Sequence, residues 1–133
     1  MSKQDESPAN PSIPSIPTAK TAPKTVLVLS QDKMGRGDDA LGTILIKKFL
    51  KTYVDIGPAP DSVVLFNSGV KLAAEGSEVL GELKTLELKG AAVLSCGTCI
   101  DHFKLGDKLR TGRVSNMHEI VSAMTSAERV VQI

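Results

Sequence analysis

From Thr25 onward, short runs of apolar residues alternate with amphipathic stretches. Thr25 to Ser30 has apolar residues at four successive positions, the pattern of a strand covered on both faces. At Asp39 the period changes. Leu41, Ile44, Leu45, Phe49 and Tyr53 fall on one helical stripe, with Lys47, Lys48 and Lys51 mostly outside it. The intervening loop contains Gly35 and Gly37, so the order strand, glycine loop, helix opens a βαβ unit. After the Gly57-Pro58-Ala59-Pro60 turn, Ser62 to Phe66 reads as a second strand, ended by Asn67-Ser68-Gly69. Ser77 is expected to cap a helix carrying Val79, Leu80, Leu83 and Leu86, which stops at Lys89 with Gly90 at C′. Ala91 to Ser95 is a third buried strand. Arg113 to Ser115 is a short segment, followed by Asn116 as a cap with Glu119 at N3, resembling a capping box. Met117, Ile120, Val121 and Met124 form the buried face of the helix it opens. Arg129 to Ile133 closes the chain as a last strand.

Strands and helices alternate throughout, which predicts an α/β fold: a mostly parallel sheet of five strands with helices on both faces, joined by right-handed crossovers. In such sheets ligands bind beyond the carboxyl ends of the strands, where the strand order reverses. With the order 2-1-3-4-5, the reversal lies between the first and third strands. The loop Gly35, Arg36, Gly37, Asp38 would then sit beside the end of the third strand. The loop Asn67, Ser68, Gly69 to Lys71 would border the same crevice, as would Asn116 to His118.

That third strand delivers the only two cysteines of the chain, Cys96 and Cys99. If Thr98 caps a following helix, with Asp101 three residues on, Cys99 falls in the first turn, facing unpaired N–H groups and the positive end of the dipole. That environment favours a thiolate, while Asp101 opposes it by like-charge repulsion. Other chemistries fit less well. The glycine loop, read through Gly42, does not match G-x-G-x-x-G and lacks Gly-Lys-Ser/Thr, so a nucleotide site is not indicated; Arg36 could present a cation to an anionic sulfur group. Cys96, Cys99, His102 and His118 could supply four zinc ligands, but the spacing departs from finger and ribbon patterns and there is no second cysteine pair. The context of a thioredoxin motif is missing as well. Neither a metal nor a cofactor is assigned.

Composition narrows the partners. The 133 residues are 41% hydrophobic, with 16 basic and 15 acidic side chains interspersed and a net charge of +1. This predicts one domain of about 110 residues and no field that would draw a nucleic acid. Aromatic residues are too few for a base-stacking surface. No apolar segment is long enough to span a membrane and no secretory signal is evident, so a cytoplasmic location is expected. In a reducing compartment the two cysteines are expected to be reactive or metal-bound and not a structural bridge. Met1 to Lys24 contains five of the seven prolines and reads as a disordered or extended tail.

Four ordered runs carry a family resemblance. They are Met34-Gly35-Arg36-Gly37-Asp38 with Leu41-Gly42, Phe66-Asn67-Ser68-Gly69-Val70-Lys71-Leu72, Leu94-Ser95-Cys96-Gly97-Thr98-Cys99 with Asp101, and Asn116-Met117 with Glu119-Ile120. From Thr25 to its end the chain resembles the C-terminal domain of YedF-type proteins, in the DsrE-like sulfur-relay superfamily. The resemblance implies a flavodoxin-like three-layer α/β/α fold, frequent oligomerisation and a cysteine that carries sulfur as a persulfide. YedF-type proteins also carry a selenium-metabolism or sulfurtransferase label. The TusA-like domain that commonly precedes this one is replaced here by the proline-rich leader. A sulfur donor and acceptor, TusA-like or cysteine desulfurase-like, would therefore act in trans. Cys99 matches the superfamily's C-x-D pattern and is the expected carrier, with Cys96 as partner or resolving thiol. Gly97 and Thr98, between them, belong to the same expected site.

Overall fold

A computed structural model describes residues 23–133. The expectation for the proline-rich leader therefore lies outside the described residues, except at its end. Lys24 belongs to the domain: its N–H donates to Glu128 at 2.8 Å, and its carbonyl accepts from the N–H groups of Glu128 and Arg129.

Five strands form one sheet: β1 (Thr25–Leu29), β2 (Ser62–Leu65), β3 (Ala92–Cys96), β4 (Arg113–Ser115) and β5 (Arg129–Gln132). Every neighbouring pair is parallel. The helices are α1 (Asp39–Ile56), α2 (Leu80–Leu88), α3 (Gly97–His102) and α4 (Met117–Ser126), and a 3-10 turn spans Asn67–Ala73. The α/β architecture is the one expected.

The strand order is 4-3-2-1-5, not 2-1-3-4-5. The chain steps in one direction from β1 to β4, and right-handed crossovers then place every intervening segment on one face. Only the return from β4 to β5 runs the other way, so α4 alone lies on the opposite face. The two cores show this. Leu27, Leu29, Val63, Leu65 and Val93 pack against Ile46 and Leu50 of α1, Val70 and Ala73 of the turn, and Leu83 and Leu86 of α2. The alternate positions Val26, Val28, Val64, Leu94 and Cys96 pack against Ile120 of α4.

The buried stripe of α1 differs from expectation. Gly42, Ile46, Leu50 and Tyr53 face inward, whereas Leu41, Ile44 and Leu45 are 51%, 47% and 37% exposed. Gly42 sets this rotation. Its N–H and carbonyl meet Asp38 and Met34, and a Cβ there would lie 3.0 Å from the Lys33 Cβ. Only the glycine face can approach the β1–α1 loop so closely, and Ile46, Leu50 and Tyr53 lie on that face. On α4, Ile120 is buried but Met117 and Val121 are about half exposed, because no second helix among the described residues flanks α4 on that face. Ser77 also lies outside α2: its Oγ accepts from the Val79 N–H at 3.1 Å in the turn before the helix, whose cap position is Val79.

Candidate functional site: a dithiol at the end of β3

The β3 ladder ends with Cys96 paired to Ser115 of β4 and Ser95 paired to Leu65 of β2. The helix after β3 starts earlier than Thr98 suggested. Cys96 itself occupies the N-cap position, and Gly97, Thr98 and Cys99 are the first three helical residues. Gly97 permits the immediate turn, since a Cβ there would sit 3.0 Å from the Ser115 carbonyl oxygen.

This start decides how the two sulfurs differ. Burial pushes the Cys96 thiol up, but the polar groups of Cys99 and Thr98 around it outweigh that and bring it below its ordinary value. Burial also pushes Cys99 up. The Asn67 N–H pulls it back, but the hydrogen bond to Cys96 and the charge there leave it raised. The more acidic thiol is therefore Cys96, not Cys99, because it sits at the helix start next to the polar groups of Thr98 and Cys99. The pair titrates as a unit.

Access runs the other way. Cys96 is buried and Cys99 half-buried. The Cys99 Sγ accepts from the Asn67 N–H at 3.0 Å. Asn67 holds φ +53°, a left-handed conformation that asparagine tolerates, and its Oδ1 accepts from the Ser68 N–H at 2.8 Å. Ser68 Oγ in turn accepts from the Asp32 N–H at 3.1 Å, which ties the loop after β1 to this turn. Gly69 seats the turn on the end of β1, where a Cβ would overlap the Leu29 carbonyl.

The remaining expected residues divide. All the loops in question follow parallel strands and share one edge of the sheet, as expected. The glycine loop is nevertheless one strand removed from the cysteines, because β2 and its Asn67 turn lie between. Gly35 and Gly37 adopt φ +85° and +122°, Arg36 is exposed, and Asp38 caps α1 by accepting from the Leu41 N–H at 3.0 Å. Asn116 caps α4, accepting from the Glu119 N–H at 2.9 Å. Glu119 does not complete the capping box. It pairs with Arg113 at 2.5 Å and accepts from Ser115 Oγ at 2.5 Å, and these partners hold its carboxyl down at about 2. Asp101 and the two histidines are exposed. Among the described residues no three of His, Cys, Asp and Glu converge on a common point.

An open cleft of about 550 Å³ lies between α1, the turn after β2 and the segment after α3; neither cysteine lines it. Lys71 lines it with its Nζ 4.5 Å from the centre of the Phe103 ring, and the Phe103 N–H donates to the Cys99 carbonyl. Phe103 and Thr43 were not singled out from the sequence, and Ser77 only as a helix cap. The available signal was Phe103 lying one helical turn beyond Cys99.

A model of the DsrE/DsrF-like family matches residues 24–133. The chain belongs to that family. Among solved structures it is similar to the ychN protein from E. coli, at 18% identity and a TM-score of 0.59, covering 84% of this chain and 100% of that one. It is similar also to MTH1491 from Methanobacterium thermoautotrophicum, described as of unknown function, at 20% identity and a TM-score of 0.59, with the same two coverages. BT1422 from Bacteroides thetaiotaomicron, a conserved protein of unknown function, follows at 14% identity and a TM-score of 0.54, covering 83% of this chain and 95% of that one. At these identities the three show the shared fold. No curated protein matches the chain in sequence. No helix among the described residues is long and apolar enough to cross a membrane.

Proposed function

We propose that this DsrE/DsrF-like protein is a sulfur carrier of the YedF type, holding sulfur as a persulfide on Cys99. The observation that supports the reading is the division of labour in the dithiol: a half-buried thiol in the first turn of a helix whose cap position holds a buried, more acidic one. The Cys99 sulfur attacks the outer sulfur of a donor persulfide while its proton passes to the Cys96 thiolate. The S–S bond of the donor breaks, and the donor leaves as a thiol once it recovers the proton. The new persulfide lies where the Asn67 N–H already meets the Cys99 sulfur.

Two exits conserve atoms and electrons. An acceptor thiolate can take the outer sulfur and return Cys99 as a thiolate. Alternatively, the Cys96 thiolate attacks the Cys99 sulfur, forming a disulfide and expelling hydrosulfide; a dithiol reductant then resets the pair. The reading places the protein in the cytoplasm, with a TusA-like or desulfurase-like partner in trans. It includes self-association, supported by the exposed apolar stripe Leu41, Ile44, Leu45 on α1.

Intact-mass measurement after incubation with a cysteine desulfurase and cysteine, or with inorganic polysulfide, tests it. The wild type gains the mass of one sulfur and Cys99→Ser gains none. If neither donor adds sulfur to the wild type, the carrier function is wrong.

A further inference from the structure

Among the described residues, the charged side chains that line the cleft are all paired, two of them with cations just outside it, except one. Three carboxylates line the cleft, and each has its own cation: Asp32 with Lys33 at 3.1 Å, Glu78 with Lys47 at 2.8 Å, and Glu75 with Arg110 at 3.6 Å. Lys71 is the cation left over. Its ammonium has an aromatic face beneath it and no carboxylate partner among the described residues. An aromatic face holds a cation in place without neutralising it, so Lys71 offers a fixed positive charge to a ligand in the cleft. Leu72 and Leu105 add apolar wall beside Phe103. The volume falls within the range of small-molecule sites.

One stretch of backbone joins the residue that meets the sulfur to the residue that carries this charge, and its span sets a length. Asn67, whose N–H meets Cys99, and Lys71 are four residues apart in the same 3-10 turn. At a rise of about 2 Å per residue that is roughly 8 Å, the reach of two to three extended residues. Taking the sulfur chemistry of Cys99 as read above, we propose that the cleft binds a small cysteinyl-peptide thiol or its persulfide, with a carboxylate on Lys71 and its sulfur directed at Cys99. The substrate class is thus an anionic low-molecular-weight thiol, in addition to any protein partner.

Binding is tested with S-methylglutathione, which has the carboxylates and no thiol, by titration into the full chain with amide NMR detection. Saturable shifts are expected at Lys71, Phe103 and Leu105. Lys71→Gln should weaken binding at least fivefold and Lys71→Arg restore it. Lys48→Gln, which removes the same charge outside the cleft, should leave binding unchanged, and Thr43→Trp, which fills the cleft, should abolish it. The spectra themselves report whether each variant is folded. Non-saturable shifts, shifts elsewhere on the surface, or equal weakening by Lys48→Gln would overturn the proposal.

The direction of the sulfur is tested with oxidised glutathione. Cys99 should attack it to give a mixed disulfide and one glutathione thiolate, at a rate that saturates and falls in Lys71→Gln. The rate with neutral 2-hydroxyethyl disulfide should not change in that variant, and an equal fall with both reagents would contradict the placement. Because S-methylglutathione cannot transfer sulfur, its binding stands or falls independently of whether Cys99 ever carries a persulfide.

Discussion

Gly69→Ala couples packing to chemistry most directly. The new Cβ would lie 2.9 Å from the Leu29 carbonyl carbon and closer still to its oxygen, and 3.3 Å from the Gln31 nitrogen. These are backbone atoms at the end of a fully buried strand, so no side-chain rotation relieves the overlap and the turn itself must move. Overpacking of this kind costs about 1–3 kcal/mol, and a backbone obstacle places it near the upper figure. With an unfolding entropy of roughly 2.1 cal/mol/K per residue over about 110 residues, or ~0.23 kcal/mol/K, a cost of ~3 kcal/mol lowers the midpoint by about 13 °C. The displaced turn also withdraws the Asn67 N–H from the Cys99 sulfur, raising that thiol further and slowing its alkylation at neutral pH. Thermal unfolding followed by circular dichroism gives the first quantity and iodoacetamide kinetics the second. Gly81→Ala is the control: it lies in α2 with nothing within 4 Å of its Cβ position. Replacing this helical glycine should stabilise by about 0.5–1 kcal/mol. A Gly69→Ala protein melting within ~2 °C of the wild type would refute the close approach between the turn and β1.

The two thiols should respond oppositely to loss of their partner. Cys96→Ala removes the charge and side-chain partner that raise Cys99, so the alkylation midpoint of Cys99 should move to lower pH; Cys99→Ala removes a side-chain donor near Cys96, whose midpoint should rise. Asn116→Ala deletes the α4 cap at a cost of about 1 kcal/mol, a fall of roughly 4 °C in the midpoint; an unchanged midpoint would show that the cap contributes nothing. Glu119 is depressed to about 2, so its stabilisation is present above the ordinary glutamate range and disappears as pH falls towards that value. The stability gap between wild type and Glu119→Gln should therefore narrow steadily below the ordinary glutamate range, and a gap that stays constant down to about pH 2 contradicts the pairing with Arg113. Ile44→Glu should leave the monomer folded and abolish self-association in sedimentation analysis, since Ile44 lies on the exposed α1 stripe and makes no part of the core.

The alternation of strands and helices, the parallel sheet and its functional edge were legible because period-2 and period-3.6 patterns follow directly from which faces are buried. The inward face of α1 was not. Leu41, Ile44 and Leu45 form as good an apolar stripe as Ile46, Leu50 and Tyr53, and the choice was made by Gly42, which carries no hydrophobic signal. The start of α3 was misplaced because Thr98 has the better N-cap side chain, while the β3 ladder runs on to Cys96 through its pairing with Ser115. That pairing is a tertiary fact, and with it went the ranking of the two thiols. The order of strands depended on the β4-to-β5 return, which no local pattern encodes. The Asn67 contact to Cys99 was visible only as a short polar run after β2 that belonged to the same expected site.

The central claim is that sulfur resides on Cys99 with Cys96 as its proton acceptor. Heavy-sulfur cysteine supplied with a cysteine desulfurase, followed by alkylation and peptide mapping across Cys96 and Cys99, locates the transferred atom. The account predicts the heavy sulfur on Cys99 in the wild type and in Cys96→Ser, with slower loading in the latter. Heavy sulfur on Cys96 of the wild type, or on Cys96 of Cys99→Ser at the wild-type rate, would contradict it.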